Sequence, residues 1–250
     1  LVEVLKKNAT EPTTVPLSFH QQRLWFIDQL EPGSALYNIP AALRLYGELN
    51  VAALERSLQE IVRRHEALRT SFPAELGEPR QVISEVWQTK LPVVDLSHLA
   101  ADKRLDTARR LANEEAERPF DLSHGPLWRC KLLQLAERDH VFIVNLHHII
   151  SDEWSKDVLT HELATLYKAY THGAESPLPE LEVQYGDFAI CEREWLRGPI
   201  LEQQLTYWSH QLTELEPLNL PTDHLRPAVS SHRGASAPFS LSDVVAAQLN

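Results

Sequence analysis

The stretch Val141-Phe142-Ile143-Val144-Asn145-Leu146-His147-His148-Ile149-Ile150-Ser151-Asp152 constrains this chain more than any other. Its apolar first half reads as a buried strand. Beyond it Trp154, Val158, Leu159, Leu163, Leu166, Tyr167 and Tyr170 recur at three- and four-residue steps, which predicts an amphipathic helix. Two imidazoles and a carboxylate therefore stand on the turn between a strand end and a helix start. Ordered scaffolds often present working side chains from such turns.

Flanking segments supply the rest of an α/β pattern. Leu1 to Lys7 reads as a helix tail and Asn8 to Pro16 as a Thr/Pro-rich linker. Ser18 to Leu30 mixes apolar residues with Gln and Arg, and Pro32-Gly33 is a turn. Tyr37 to Tyr46 alternates as a strand does. Asn50 is positioned to cap a helix whose inner face is Leu54, Leu58, Ile61, Val62 and His65. Leu68 to Phe72 and Arg80 to Val86 read as strands, and Ala100 to Glu117 as a helix with Leu105, Ala108, Leu111 and Ala112 inward. Leu127 to Leu135 and His140 to Leu146 pair as a hairpin across Glu137-Arg138-Asp139. Ser176 to Pro179 is a break, followed by helices near Tyr185–Arg197 and Pro199–Leu215. Pro217 to His232 is irregular, Phe239-Ser240-Leu241 begins a strand, and Ser242 caps a last short helix.

Composition narrows the function classes. A net charge of −11 opposes non-specific binding to nucleic acid or anionic membranes, which want a basic face. No apolar run approaches the roughly 20 residues needed to cross a bilayer, and no signal-peptide pattern opens the chain. Cys130 and Cys191 are the two cysteines; so sparse a pair suggests a reduced, cytoplasmic setting rather than a disulfide framework. Glycine-rich phosphate loops and zinc spacings are absent from the sequence. The lack of Met and the start at Leu1 suggest an excised piece.

A neutral histidine near pH 7 can take a proton from an attacking group. Successive strand residues face opposite ways, so His147 and His148 cannot both serve one reacting atom; one points into a cleft and the other into the body. Each residue also has a plainer reading. A histidine at a strand end is usually a satisfied structural residue, and Asp152 fits a helix cap. A metal site from His147, His148, Asp152 and His161 is disfavoured, because the two adjacent rings diverge and no helical HExxH pair is present.

His147-His148-x-x-x-Asp152, followed by Trp154 and Ser155, resembles the signature of nonribosomal peptide synthetase condensation domains. Three further segments resemble that family's motifs in the same order: Ser18-Phe19-His20-Gln21-Gln22-Arg23-Leu24-Trp25-Phe26, Arg64-His65-Glu66-Ala67-Leu68-Arg69-Thr70-Ser71-Phe72 and Tyr185-Gly186-Asp187-Phe188-Ala189. Pro119-Phe120-Asp121-Leu122, Gly125-Pro126-Leu127 and Leu220-Pro221-Thr222-Asp223 look familial too. The resemblance implies an α/β fold like chloramphenicol acetyltransferase, a two-layer sandwich lobe with a mixed sheet and helices, and a second lobe left incomplete. It implies residues 1–15 as the end of a carrier-to-condensation linker, 16–175 as the N-terminal lobe, and 176–250 as inter-lobe helices with the start of the second lobe.

The activity implied is amide formation between a thioester on an upstream carrier protein and the amine of an aminoacyl thioester on a downstream carrier. The substrates would ride on phosphopantetheine arms, with no cofactor or metal bound by the domain itself, and an adenylation domain would adjoin. His148 would position or deprotonate the amine. His147 would be structural, and Asp152 would pair with Arg64 or Arg69. Ser151, Glu153, Trp154 and Ser155 are candidates to line the tunnel. Glu153 stands where the family usually has Gly, which raises the question of crowding or altered charge beside His148. The first motif and Tyr37-Asn38-Ile39-Pro40 look most like the subtype joining L-donors to L-acceptors. By itself the piece is expected to be inactive. A non-catalytic carrier-docking module and a stand-alone acyltransferase on soluble acceptors remain the alternatives.

Overall fold

The computed structural model describes residues 13–85, 89–225 and 237–249. The chain divides into two compact units, Leu1–Tyr207 and Trp208–Asn250.

In the first unit the hairpin expected from the sequence is the spine. Strands β8 (Trp128–Ala136) and β9 (Asp139–His147) pair antiparallel, and β2 (Asn38–Tyr46) lies on the other side of β9. A short β7 (Val93–Asp95) runs parallel to β8, giving a mixed sheet of order β2-β9-β8-β7. Alternation along β9 divides its side chains between two cores. Phe142, Val144 and Leu146 join Leu54, Leu58, Ile61 and Val62 of helix α2 (Val51–Arg64) and Leu166 of helix α4 (Glu153–Thr171). Val141 and Ile143 face the other way, where Ala108, Leu111 and Ala112 of helix α3 (Ala101–Glu117) pack. A strand covered on both faces has no reason to alternate apolar with polar, and this one does not.

The local signals explain where helices begin. Asn50 accepts from the Ala53 N–H at 3.0 Å. Ser18 and Gln21 form a reciprocal cap at the start of helix α1 (Phe19–Leu30), and Asp152 with Ser155 does the same for α4. Helices α5 (Tyr185–Trp195) and α6 (Pro199–Gln211) follow the expected break.

Several expectations are corrected. Thr13–Val15, read as part of the linker, form strand β1, which pairs with β6 (Gln81–Ile83); β3 (Thr70–Ser71) lies on its other side. The strand expected over Leu68–Phe72 shrinks to those two residues, because Glu66–Arg69 close a 3-10 turn. A small hairpin of β4 (Ala74–Glu75) and β5 (Glu78–Pro79) completes the set. The expected helix tail at Leu1–Lys7 lies outside the described residues, as does Val86.

In the second unit α6 ends, residues 217–225 are irregular as expected, and residues 239–241 form no strand. The final helix α7 (Asp243–Leu249) starts after Ser242, whose hydroxyl accepts from the Val245 N–H at 3.4 Å. Among the described residues no helix is long and apolar enough to cross a membrane.

Candidate active site

The end of β9 separates the two histidines as strand geometry requires. His147 is the last strand residue and is sealed in the core, 3% exposed. Its Nδ1 accepts from the Ile149 N–H at 3.1 Å, and Tyr37 and Phe120 pack against the ring. Burial, with the neighbouring His148 second, pushes its pKa down to about 4, so it stays neutral. A ring held this way serves the turn rather than a substrate.

His148 begins the turn and is half-buried. Its backbone N–H donates to Tyr37 O at 2.8 Å, which fixes the turn against the start of β2. The ring lines a cavity of about 230 Å³ together with His20, Ile149, Ile150, Ser151, Asp152, Ser155 and Tyr185. Its Nδ1 is buried with no hydrogen-bond partner among the described residues. The ring is thus not sealed inside the protein but opens onto a cavity.

Asp152 caps α4. Its Oδ1 accepts from the Ser155 N–H at 2.8 Å and from the Ser155 hydroxyl at 2.6 Å. The Ser155 hydroxyl bond holds the carboxyl below its usual range, against the opposing effect of burial. The expected pairing with Arg64 or Arg69 is not formed. Buried Arg64 instead grips Glu162 at 3.1 and 3.2 Å and Pro179 O at 2.8 Å, while Arg69 donates to Ser84 O and Glu66. The reason is reach: Glu162 sits ten residues beyond Asp152, roughly 15 Å further along the helix, opposite the end of α2.

The remaining tunnel candidates divide. Ser151 and Ser155 line the His148 cavity. Trp154 is 79% exposed and lines an adjoining apolar chamber of about 240 Å³, whose walls include Leu68, Val158, Leu181 and Val183. The two spaces share Ile150, Ser151, Ser155 and Tyr185. Glu153 lines neither; its carboxylate is paired with Lys156 at 2.6 Å and faces solvent. Its backbone is not among the described positive-φ positions, so nothing there demands glycine.

Three residues of the site escaped the sequence reading. Fully buried Gln21 donates from Nε2 to Gln81 Oε1 at 3.2 Å and to Ile149 O at 3.3 Å, tying α1 to the turn. Tyr185 lines the cavity and its hydroxyl lies 3.0 Å from Ser18 Oγ. His20 faces His148. All three lie in the quoted motifs, but spacing alone gives them no role, because Gln21, Tyr185 and His20 meet their neighbours only across the fold.

A family model described as "Condensation domain" matches residues 11–250. The chain is 52% identical over 222 residues to one of the linear gramicidin synthase subunits of Brevibacillus parabrevis, covering 88% of this chain and 3% of that protein. It is 43% identical over 228 residues to phosphinothricin tripeptide synthetase PhsC of Streptomyces viridochromogenes, covering 91% of this chain and 21% of that one. The chain thus spans a small part of these relatives. Among solved structures, the X-domain from teicoplanin biosynthesis in its complex with OxyB superimposes with a TM-score of 0.78 at 35% identity, covering 91% of this chain and 50% of that one. The starter condensation domain of rhizomide synthetase RzmA shares the fold, with a TM-score of 0.72.

Proposed function

Since this chain belongs to the condensation-domain family of nonribosomal peptide synthetases, we propose that the full-length protein carrying it joins two carrier-bound substrates through an amide bond at His148. Condensation domains form amide bonds, and the chemistry asks little of a side chain. A thioester is already activated, so an amine held in line gains mainly from proximity, and a base that removes its proton adds further rate.

The observation that carries the reading is the separation of two adjacent imidazoles: His147 locked in the core by its own turn, His148 facing an open cavity. Asp152 and Ser155 set the helix start that holds the turn, and Gln21 braces it from α1. The apolar chamber beside the cavity suits an aliphatic or aromatic side chain of one substrate. On this reading the substrates arrive on phosphopantetheine arms of an upstream and a downstream carrier protein, an adenylation domain adjoins, the setting is cytoplasmic, and the domain binds no cofactor of its own.

The test uses the full-length protein with both carriers loaded. His148→Ala should lower amide formation by about a hundred- to ten-thousand-fold; equal product from both forms would remove the assignment. A second reading, a docking module without catalysis, has one observation in its favour: the teicoplanin X-domain was solved in complex with OxyB. That reading expects no amide from the wild-type protein and retention of its binding partner in His148→Ala.

A further inference from the structure

A second imidazole shares the His148 cavity. His20, near the start of α1, has its ring centroid 6.2 Å from that of His148, with the planes tilted by 54°. No hydrogen bond joins the two rings, which leaves the space between them to a reacting group. Arg23, one turn further along α1, lies with Nη2 3.3 Å from His20 Nδ1. A guanidinium only donates, so Nδ1 is the acceptor, and the neutral ring carries its proton on Nε2. With Nδ1 turned to its own helix, Nε2 is the nitrogen left for the cavity. Burial first, then the Arg23 charge and His148, lower this ring's pKa; Asp152 and Glu192 act the other way and more weakly. At pH 7 the group is therefore a neutral N–H donor. Asp152 is occupied by its cap and offers the cavity no proton.

We propose that His20 donates a hydrogen bond from Nε2–H to the thioester carbonyl oxygen as amide formation turns it into an alkoxide. The inference rests on the condensation reading. In the first step the amine nitrogen bonds to the carbonyl carbon, and the C=O π pair moves to the oxygen facing His20. His148 takes the proton that the nitrogen sheds. The alkoxide then re-forms C=O and the C–S bond breaks. The sulfur leaves with the bonding pair and receives the proton from His148, so the products are an amide and a thiol and both rings end as they began. A fixed donor aimed at a developing oxyanion acts mainly on the transition state, and loss of one such donor typically costs about a hundred- to a thousand-fold in kcat.

The experiment takes the full-length protein with its carriers loaded from leucyl- and phenylalanyl-pantetheine conjugates, and follows the dipeptide by mass spectrometry. His20→Ala should lower kcat by about a hundred-fold while KM for the loaded carrier moves less than about three-fold. His20→Gln, which keeps an N–H donor, should recover at least about a tenth of the wild-type rate. An unchanged kcat in His20→Ala, or a loss confined to KM, overturns the proposal. Equal losses in both variants with a lowered melting temperature would make His20 structural and overturn it as well. Absence of dipeptide from the wild type would instead overturn the condensation reading and this inference with it.

Discussion

At the level of single residues, environment decides the roles of chemically identical groups. His147 is buried and neutral, and its depressed pKa has a thermodynamic consequence. The unfolded ring titrates near 6.5 and the folded one near 4, so the unfolded chain binds more protons between those values. Stability contributed by the neutral ring is complete above pH 6.5 and falls as pH drops, by on the order of 3 kcal/mol at pH 4. Urea unfolding midpoints of the 250-residue chain should decline over that window, and less so in His147→Gln. A flat profile in the wild type would contradict the burial argument. Glu153 gives a second test at this scale. Because its carboxylate is solvent-facing and paired with Lys156, Glu153→Gly should leave the amide-forming rate within about two-fold, apart from a helix-propensity cost of up to about 1 kcal/mol. A large rate gain would show that Glu153 does crowd the site.

Between elements, the turn is held by contacts that no single segment contains. Arg64 at the end of α2 and Glu162 in the middle of α4 form a buried pair, and His65 Nε2 adds a contact to Glu162 at 2.8 Å. Removing one member leaves the other buried without its counter-charge, so Glu162→Ala should destabilise by about 3–5 kcal/mol. Asp152→Ala removes a helix cap and should cost only about 0.5–2 kcal/mol. Comparing the two by denaturant titration separates a cap from a buried ion pair; equal large losses would restore the pairing of Asp152 with an arginine. The sequence placed α2 and α4 with their caps because caps are local: Asn50 and Asp152 each reach a backbone N–H three residues on. It misassigned the arginines because a guanidinium's partner depends on which helix lies opposite, a matter of tertiary packing.

For the whole chain, surface composition governs behaviour. Many large apolar side chains are exposed, among them Trp154, Val183, Trp195, Trp208 and Phe239. So much apolar surface on a monomer is a mark of interaction surfaces. The 250-residue chain is expected to self-associate, seen as concentration-dependent sedimentation; a single monomeric species throughout would remove that expectation. With a net charge of −11, added salt should strengthen rather than weaken the association by screening repulsion.

The sequence by itself determined the elements with a local cause: the apolar run of β9, the hairpin it forms with β8, the helix caps, and the divergence of two neighbouring imidazoles. It also carried the family, through ordered motifs. Only the tertiary structure decided which arginine meets which carboxylate, that Thr13–Val15 join a sheet, and that His20 shares a cavity with a residue 128 positions away. Caps and strand alternation act over a few residues of chain, whereas ion pairs and cavities exist only once distant segments have packed.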